Sequence, residues 1–321
     1  MQSIQLNDLD RRIVHALSVQ PRASFRALAA AVSVSDQTVM RRYQRMRESA
    51  GLRVFGRTNA ARVGWSDWYL RLQCVPGSAP TVARALAARG DTSWVHLASG
   101  GTEVVCALQT RSPEQRDALL LTNLPGSRRV TTIHAHSLLH IFTKPAWNVL
   151  TQALSDAELQ RLGRAPLVAD DDTVAELAPG DVVLLEHLAR DGRASNASLA
   201  AATNRHESNV RRRVEQLQRS GLLYFDLDLD TMALGMSARA MMWVSVEPAH
   251  LEATGHAMAA HPEIPFAAAT TGPTNLVASV VCADERHLYR YFTHRFAALP
   301  GVHAVETAPL ISTLKRTAPV S

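Results

Sequence analysis

The apolar positions in the first fifty residues recur at helical spacing, with polar residues marking the ends of each run. Leu9, Ile13 and Leu17 fall on one face of a helix over residues 8–19, and Asp8 and Asp10 in its first turn suit the helix dipole. Pro21 ends that helix. Ser24 then caps a second, short helix with Phe25, Leu28 and Ala29 inward, and Val32-Ser33-Val34 makes a tight connection. Ser35 caps a third helix, SDQTVMRRYQRMRE, in which Val39, Tyr43 and Met46 share a face. Gly51 stops it, and the segment LRVFGRTN alternates apolar with polar residues as a wing or linking strand would. Two short helices, a tight turn and a third helix of this length are the helix-turn-helix pattern.

The period changes after this block. Trp68–Val75 alternates as a strand with Trp68, Leu70, Leu72 and Cys74 on one face, and Ala79–Arg89 is helical. Trp94–Ala98 and Val104–Leu108 are strands joined by Ser99-Gly100-Gly101-Thr102, followed by a helix over Pro113–Leu121 and a long strand over Val130–Phe142. The order βαββαβ is ferredoxin-like, with two helices on one sheet face. It recurs later: strand Ala240–Val246, helix Pro248–His261, strands Phe266–Thr271 and Leu276–Val281, helix Asp284–Ala297, strand Val302–Leu314. The uncovered sheet face is apolar and needs a partner. The two sandwiches of one chain can supply it to each other, and pairing between chains satisfies the same need.

The first block is also repeated, from Asp181, at a constant offset. Asp10, Ile13 and Leu17 recur as Asp181, Leu184 and Leu188, and Arg22-Ala23-Ser24 recurs as Arg193-Ala194-Ser195. Leu28, Val39, Tyr43 and Met46 recur as Leu199, Val210, Val214 and Leu217, and Arg42 as Arg213. Apolar and basic positions matching on one frame indicate a duplicated architecture. The copies differ at the turn, where Val34 becomes Arg205 and the cap Ser35 becomes His206, a poorer N-cap. Two readings of the second copy follow: a DNA-binding unit of altered preference, or a degraded unit kept for assembly.

The third helix is basic. Arg41, Arg42, Arg45 and Arg47 are opposed only by Asp36 and Glu48, and guanidinium forks suit phosphate oxygens and guanine edges. The helix is expected in the major groove of double-stranded DNA, with Ser35 at its cap, Gln37, Thr38 and Arg41 nearest the base edges, and Arg42 and Arg45 on phosphates. Asn209, Arg211, Arg212 and Arg213 are the counterpart candidates for an adjacent half-site. The net charge of +5 and pI near 9.5 permit a polyanionic partner.

The opening LNDLDRRIVHAL, the segment RASFRALAAAVSVSDQTVMRRYQRMRESAG and the return through Ala61–Gly64 resemble the Lrp/AsnC transcriptional regulators. That resemblance occurs twice, through the second copy. It implies an α+β chain: two winged helix-turn-helix domains (1–64 and 180–236) alternating with two ferredoxin-like ligand-sensing domains (65–144 and 237–321), and a linker with a short helix over 145–179. It implies sequence-specific DNA binding responsive to a small-molecule effector, an amino acid by family pattern, in a homo-oligomer with no cofactor. The glycine turns between the middle strands would lie near the effector pocket. Ser99, Gly100, Thr102 and Glu103 in one copy, and Thr271, Gly272, Thr274 and Asn275 in the other, are then the effector-binding candidates. Glu103 would meet an α-amino group; Asn275 carries no charge, so the second pocket is altered or empty.

The remaining chemistry narrows the field. The linker holds a capping box, Ser155-x-x-Glu158, opening a short helix with Leu159 and Leu162. Its acidic run Asp170-Asp171-Asp172 lacks calcium-loop spacing. Cys74, Cys106 and Cys282 sit singly in apolar runs, which suits buried side chains and not a metal or redox pair. His134, His136 and His140 share a strand face without a carboxylate or cysteine placed by sequence to complete a metal set. Neither a Walker motif nor a dinucleotide fingerprint is present, and the chain has no apolar run of membrane-spanning length. A cytoplasmic, non-enzymatic protein is expected. Two alternatives share features with it. The sirohaem decarboxylases are similar in architecture, but of their histidine- and arginine-bearing tract only His96 has a candidate here. A nonspecific DNA-architectural protein would bind every sequence about equally.

Overall fold

The computed structural model describes residues 5–143, 153–162 and 175–317. The chain divides into two compact units, Met1–Gly64 with Asn148–Gly235, and Trp65–Trp147 with Met236–Ser321. The helix-turn-helix copies share the first unit and the sandwiches share the second. Elements are numbered along the chain.

In the first unit, α1 (Asp8–Val19) opens on a full capping box between Asn7 and Asp10, and buries Ile13, Val14 and Leu17. The Ser24 side chain caps α2 (Phe25–Val32), which ends in a left-handed Ser33, and Ser35 caps α3 (Asp36–Ser49), which buries Val39, Tyr43 and Met46. The second copy repeats this as α7 (Asp181–Arg190), α8 (Asn196–Thr203) and α9 (Glu207–Arg219), with Val210, Val214 and Leu217 inward. Asn204 takes the left-handed turn position that Ser33 takes in the first copy. As its sequence anticipates, His206 caps α9 without a side-chain hydrogen bond. The linker helix α6 (Asp156–Leu162) begins at the expected box, the Ser155 amide donating to Glu158 over 2.8 Å. The acidic run Asp170–Asp172 lies outside the described residues.

The strand following each helix-turn-helix pairs with its counterpart. β1 (Arg53–Thr58) runs antiparallel to β6 (Leu223–Asp228) in an unbroken register from Arg53 opposite Asp228 to Thr58 opposite Leu223. The repeated Arg-Ala-Ser tripeptide completes the joint. Arg22 donates to the carbonyls of Gly192 and Ala194 over 2.6 and 3.0 Å, and Arg193 donates to those of Pro21 and Ala23 over 2.6 and 2.7 Å. Each copy thus grips the other's inter-helix turn, as a local two-fold requires. Gly192 lies so close that an added Cβ would meet the Phe55 backbone at 2.9 Å.

The second unit is a closed eight-stranded barrel in the order β10-β3-β4-β2-β5-β8-β9-β7. The first sandwich contributes β2 (Ser66–Cys74), α4 (Ala79–Ala87), β3 (Thr92–Ala98), β4 (Glu103–Thr110), α5 (Pro113–Asp117) and β5 (Val130–Ile141). The second contributes β7 (Ala238–Val246), α10 (Leu251–Ala259), β8 (Phe266–Thr270), β9 (Leu276–Cys282), α11 (Glu285–Arg290) and β10 (Val302–Lys315). Both second helices are shorter than their sequence suggests, because each passes into a wider π turn, Ala118–Asn123 and Tyr291–Arg295. The long last strands close the barrel: β5 pairs with β8, and β10 pairs first with β7 and then with β3. Leu70, Leu72, Cys74 and Val104 face the first pair of helices, and Met242, Val244, Ala278 and Val280 face the second. Tyr69, Val105, Met241, Trp243, Ala268 and Val277 fill the inside. The apolar sheet faces therefore cover each other within one chain. All three cysteines are buried and unpaired.

Candidate nucleic-acid interface and effector turns

Capping and burial on α3 leave one stripe of the helix in solvent. Ser35, Gln37, Met40, Arg41, Gln44 and Arg47 are exposed, and Thr38 is half-buried because its backbone amide and hydroxyl both engage Ser35. Met40 is 50% exposed, an apolar tip among polar neighbours that the basic pattern did not single out, and it suits contact with a thymine methyl. On α9 the same stripe holds Asn209, Arg211 and Arg212, all exposed. Arg212 donates to the Asn209 side chain over 3.3 Å, which orders both.

Arg42, Arg45 and Arg213 have another task. Asp10 is fully buried in α1 and takes Arg42 at 3.3 Å and Arg45 at 2.5 Å. Asp181, equally buried, takes Arg213 at 2.5 Å and Arg205 at 3.5 Å. A carboxylate with no access to water must be neutralised and hydrogen-bonded, and the inward edge of the recognition helix supplies the cations. Beside the DNA contacts expected of them, Arg42, Arg45 and Arg213 thus hold α1 to α3 and α7 to α9. The repeated frame carried the signal, since Asp10 and Arg42 recur together as Asp181 and Arg213. Arg205, which replaces the apolar Val34, reaches Asp181 and the Pro179 carbonyl instead of plugging the turn.

The effector turns are also more committed than their sequence suggests. Ser99, Gly100 and Gly101 are successively left-handed, with φ of 51°, 70° and 83°, and Thr102 closes the turn on the Ser99 carbonyl over 2.7 Å. Glu103 is buried, and accepts from Ser99 Oγ over 2.9 Å and from Arg71 Nη2 over 2.8 Å. Arg71 also pairs with Glu306, and its guanidinium lies 4.2 Å from the centre of the Trp243 ring. The Glu306 hydrogen bond, ahead of Glu103, raises the Arg71 pKa, and the same contact lowers that of Glu306. Glu103 is therefore the counter-ion of an internal arginine and not a free anion awaiting an ammonium group.

In the second turn the Thr271 carbonyl accepts from His136 Nδ1 over 2.8 Å, and Thr271 Oγ1 accepts the Ser137 amide over 3.0 Å. Gly272, at φ 113°, passes so close to His136 that a Cβ would stand 2.8 Å from Nδ1. Thr274 offers its carbonyl to Thr270 over 3.2 Å, and Asn275 bonds both the amide and the carbonyl of Val246 over 2.9 and 2.8 Å. Asn275 is thus a structural clip at the place of Glu103. At these turns Gly100, Thr102, Thr271, Gly272 and Pro273 are exposed, and Ser99, Gly101, Thr274 and Asn275 are half-buried.

The strand histidines separate. His134 and His136 stack with centroids 6.5 Å apart, whereas His140 packs on Phe142 and His256. Among the described residues no group of three or more His, Cys, Asp or Glu side chains could hold a metal ion. His96 is buried against Thr313, and desolvation, then Arg239 and Arg316, hold its pKa down to about 3. No helix among the described residues is long and apolar enough to cross a membrane.

Two trihelical units with an exposed polar stripe, joined to paired βαββαβ sandwiches, define a DNA-binding regulator with a sensor module. Comparison with known proteins agrees. The AsnC-type helix-turn-helix domain matches residues 6–47 and again 180–218, and the Lrp/AsnC ligand binding domain matches residues 239–320. The chain belongs to the Lrp/AsnC family of transcriptional regulators, in a tandem form. It is 29% identical over 141 residues to an uncharacterized HTH-type transcriptional regulator of Pyrococcus horikoshii, covering 44% of this chain and 89% of that one. A counterpart from Pyrococcus abyssi is 29% identical over 136 residues, covering 42% and 86%. In fold the chain is similar to the crystal structure of the siroheme decarboxylase NirDL, with a TM-score of 0.62, 13% identity, and coverage of 97% of this chain and 93% of that one. That likeness concerns the architecture alone.

Proposed function

We propose that this regulator reads double-stranded DNA with both recognition helices of one chain, and adjusts that reading to a small-molecule effector. The observation that carries the proposal is the division of labour on α3 and α9. The inner arginines are spent on buried aspartates, which leaves Gln37, Thr38 and Arg41, and Asn209, Arg211 and Arg212, on the outer stripe. Of these, Gln37, Arg41 and Arg211 suit base edges, and Arg212 a phosphate. The reciprocal arginine grip makes the two heads a fixed pair within the chain, so the operator is expected to contain two half-sites. The effector, an amino acid by family pattern, is assigned to the exposed glycine turns, where the Gly100 and Gly272 backbone and the Thr271 hydroxyl offer donors for a carboxylate. Further chains assemble around this unit in a cytoplasmic homo-oligomer. The test is mobility-shift titration with the chain's own upstream DNA and with scrambled duplex, each with and without an amino-acid panel. A specificity ratio of about 10³ that an amino acid shifts supports the reading.

The shared architecture with NirDL raises an enzymatic reading, and the barrel interior speaks against it. Tyr69, Met241 and Trp243 fill that interior at 4% exposure or less, and one of its arginines, Arg71, is already neutralised by two glutamates. A tetrapyrrole's carboxylates would need free cations and space there. Incubation with an iron tetrapyrrole separates the readings: a stoichiometric Soret band that shifts on binding would favour the enzyme.

A further inference from the structure

We propose a phosphate-binding cleft on one side only of the paired helix-turn-helix units, between the end of α3, the start of β1 and the end of α7. Tyr43, Arg47, Arg53, Val54, Arg190 and Asp191 line it. The three arginines are exposed, and none makes an ion pair among the described residues. Arg47 lies 5.9 Å from the Tyr43 ring centre and Arg193 lies 5.4 Å from it, so a fourth guanidinium adjoins the floor. The opposing carboxylate, Asp191, accepts the Arg193 amide over 2.9 Å. Four guanidiniums thus gather at Asp191, with Asp228 cross-strand from Arg53 as the second carboxylate.

Like charges gathered in a concavity repel one another, and an oxyanion relieves that repulsion while offering acceptors to several forks at once. Helix-dipole stabilisation, about 0.3–1 kcal/mol each, accounts for a cation at the end of α3 and another at the end of α7. It does not account for Arg53, which starts a strand. The duplication gives an independent argument. At the repeat-equivalent positions stand Gln218, Tyr224 and Val19, so the cleft related by the local two-fold lacks all three arginines. The fold itself therefore does not require these charges, and they have collected on one side alone.

The phosphate has two sources of the same chemistry: the backbone of DNA engaged by α3, or a free phosphorylated small molecule acting beside the effector. The first source rests on the DNA reading above; the second does not. The experiment uses the full chain and the double variant Arg53→Gln/Arg190→Gln, whose exposed and unpaired side chains predict an unchanged melting temperature. Calorimetric titration with inorganic pyrophosphate is expected to show binding that weakens at least about tenfold in the variant. In parallel, the log–log salt slope of duplex binding is expected to fall by about 2 if both arginines meet backbone phosphates. Loss in the pyrophosphate arm alone assigns a free phosphate, and loss in the salt slope assigns DNA. Pyrophosphate binding that is absent or unchanged in the variant, together with an unchanged slope, overturns the proposal. Arg41→Ala, which lies outside the cleft, keeps the two readings distinguishable: it weakens DNA binding only if α3 reads DNA, and leaves pyrophosphate binding as in the wild type.

Discussion

Arg213→Ala separates a structural arginine from a DNA-reading one. Arg213 reaches Asp181 through Nη2 at 2.5 Å and through Nε at 3.1 and 3.2 Å, and Asp181 has no exposed side-chain surface. Breaking a buried ion pair from one side costs roughly 3–5 kcal/mol. Two features reduce that figure here. Asp181 keeps the Ala178 amide at 2.7 Å and Arg205 at 3.5 Å, and Arg213 is already 20% exposed. A loss of about 2–3 kcal/mol is expected. With a urea m-value of about 1–3 kcal/mol/M, the midpoint followed by far-ultraviolet circular dichroism should fall by about 1–2 M. Arg42→Ala should cost less, about 1 kcal/mol, because Asp10 retains Arg45 at 2.5 Å. Neither substitution should change the salt slope of DNA binding in molecules that remain folded. Midpoints unmoved in both variants, with slopes falling by about 1, would refute the reasoning and place these arginines on phosphates.

Arg212→Ala should do the opposite, with a salt slope lowered by about 1 for the phosphate no longer neutralised, whereas Arg41→Ala should narrow the preference for operator over scrambled duplex by about 1–3 kcal/mol; both should keep stability within about 0.5 kcal/mol of wild type, read from titrations at several salt concentrations. Gly192→Ala should destabilise the paired helix-turn-helix unit by about 1–3 kcal/mol, since the new Cβ meets Phe55 backbone and not a movable side chain; an unshifted urea midpoint would contradict the close approach. Acidification should loosen the linker helix. His15 accepts the Leu154 amide over 2.8 Å, and desolvation lowers its pKa below the ordinary 6.5. The unfolded chain then binds a proton that the folded chain refuses, so stability falls as pH drops below about 6.5. Urea midpoints at pH 7 and pH 5 should show that fall, and His15→Gln should lessen it; stability that rises on acidification would reverse the assignment.

Much of this architecture was legible because it is local or repeated. Helix caps at Ser24 and Ser35, the buried stripes of α3 and α9, and the alternation of β2 follow from periodicity and capping chemistry. What sequence alone could not settle was who meets whom over long separations. Arg22 and Arg193 stand out as a repeated tripeptide, yet their mutual grip depends on the two copies facing each other across β1 and β6. Arg71 reads as a polar residue in a half-exposed strand, and only closure of the barrel brings Glu306 and Trp243 to it. Glu103 and Asn275 show the same limit. Their positions after a glycine turn suggested ligand contacts, but a long-range arginine claims one and the Val246 backbone claims the other. The basic recognition helix was the converse case, where net charge concealed a split between arginines facing inward and outward.

On the proposed reading, one chain carries two DNA-reading heads as a fixed pair. Its most direct test is hydroxyl-radical footprinting of the full chain on its upstream DNA, with Arg41→Ala and Arg211→Ala/Arg212→Ala each run alongside. Two protected half-sites about one helical turn, or a multiple of it, apart are expected. Each variant should weaken protection over its own half-site first. A single protected half-site insensitive to the Arg211 and Arg212 changes would contradict two paired heads, and equal protection of every sequence would contradict specific recognition.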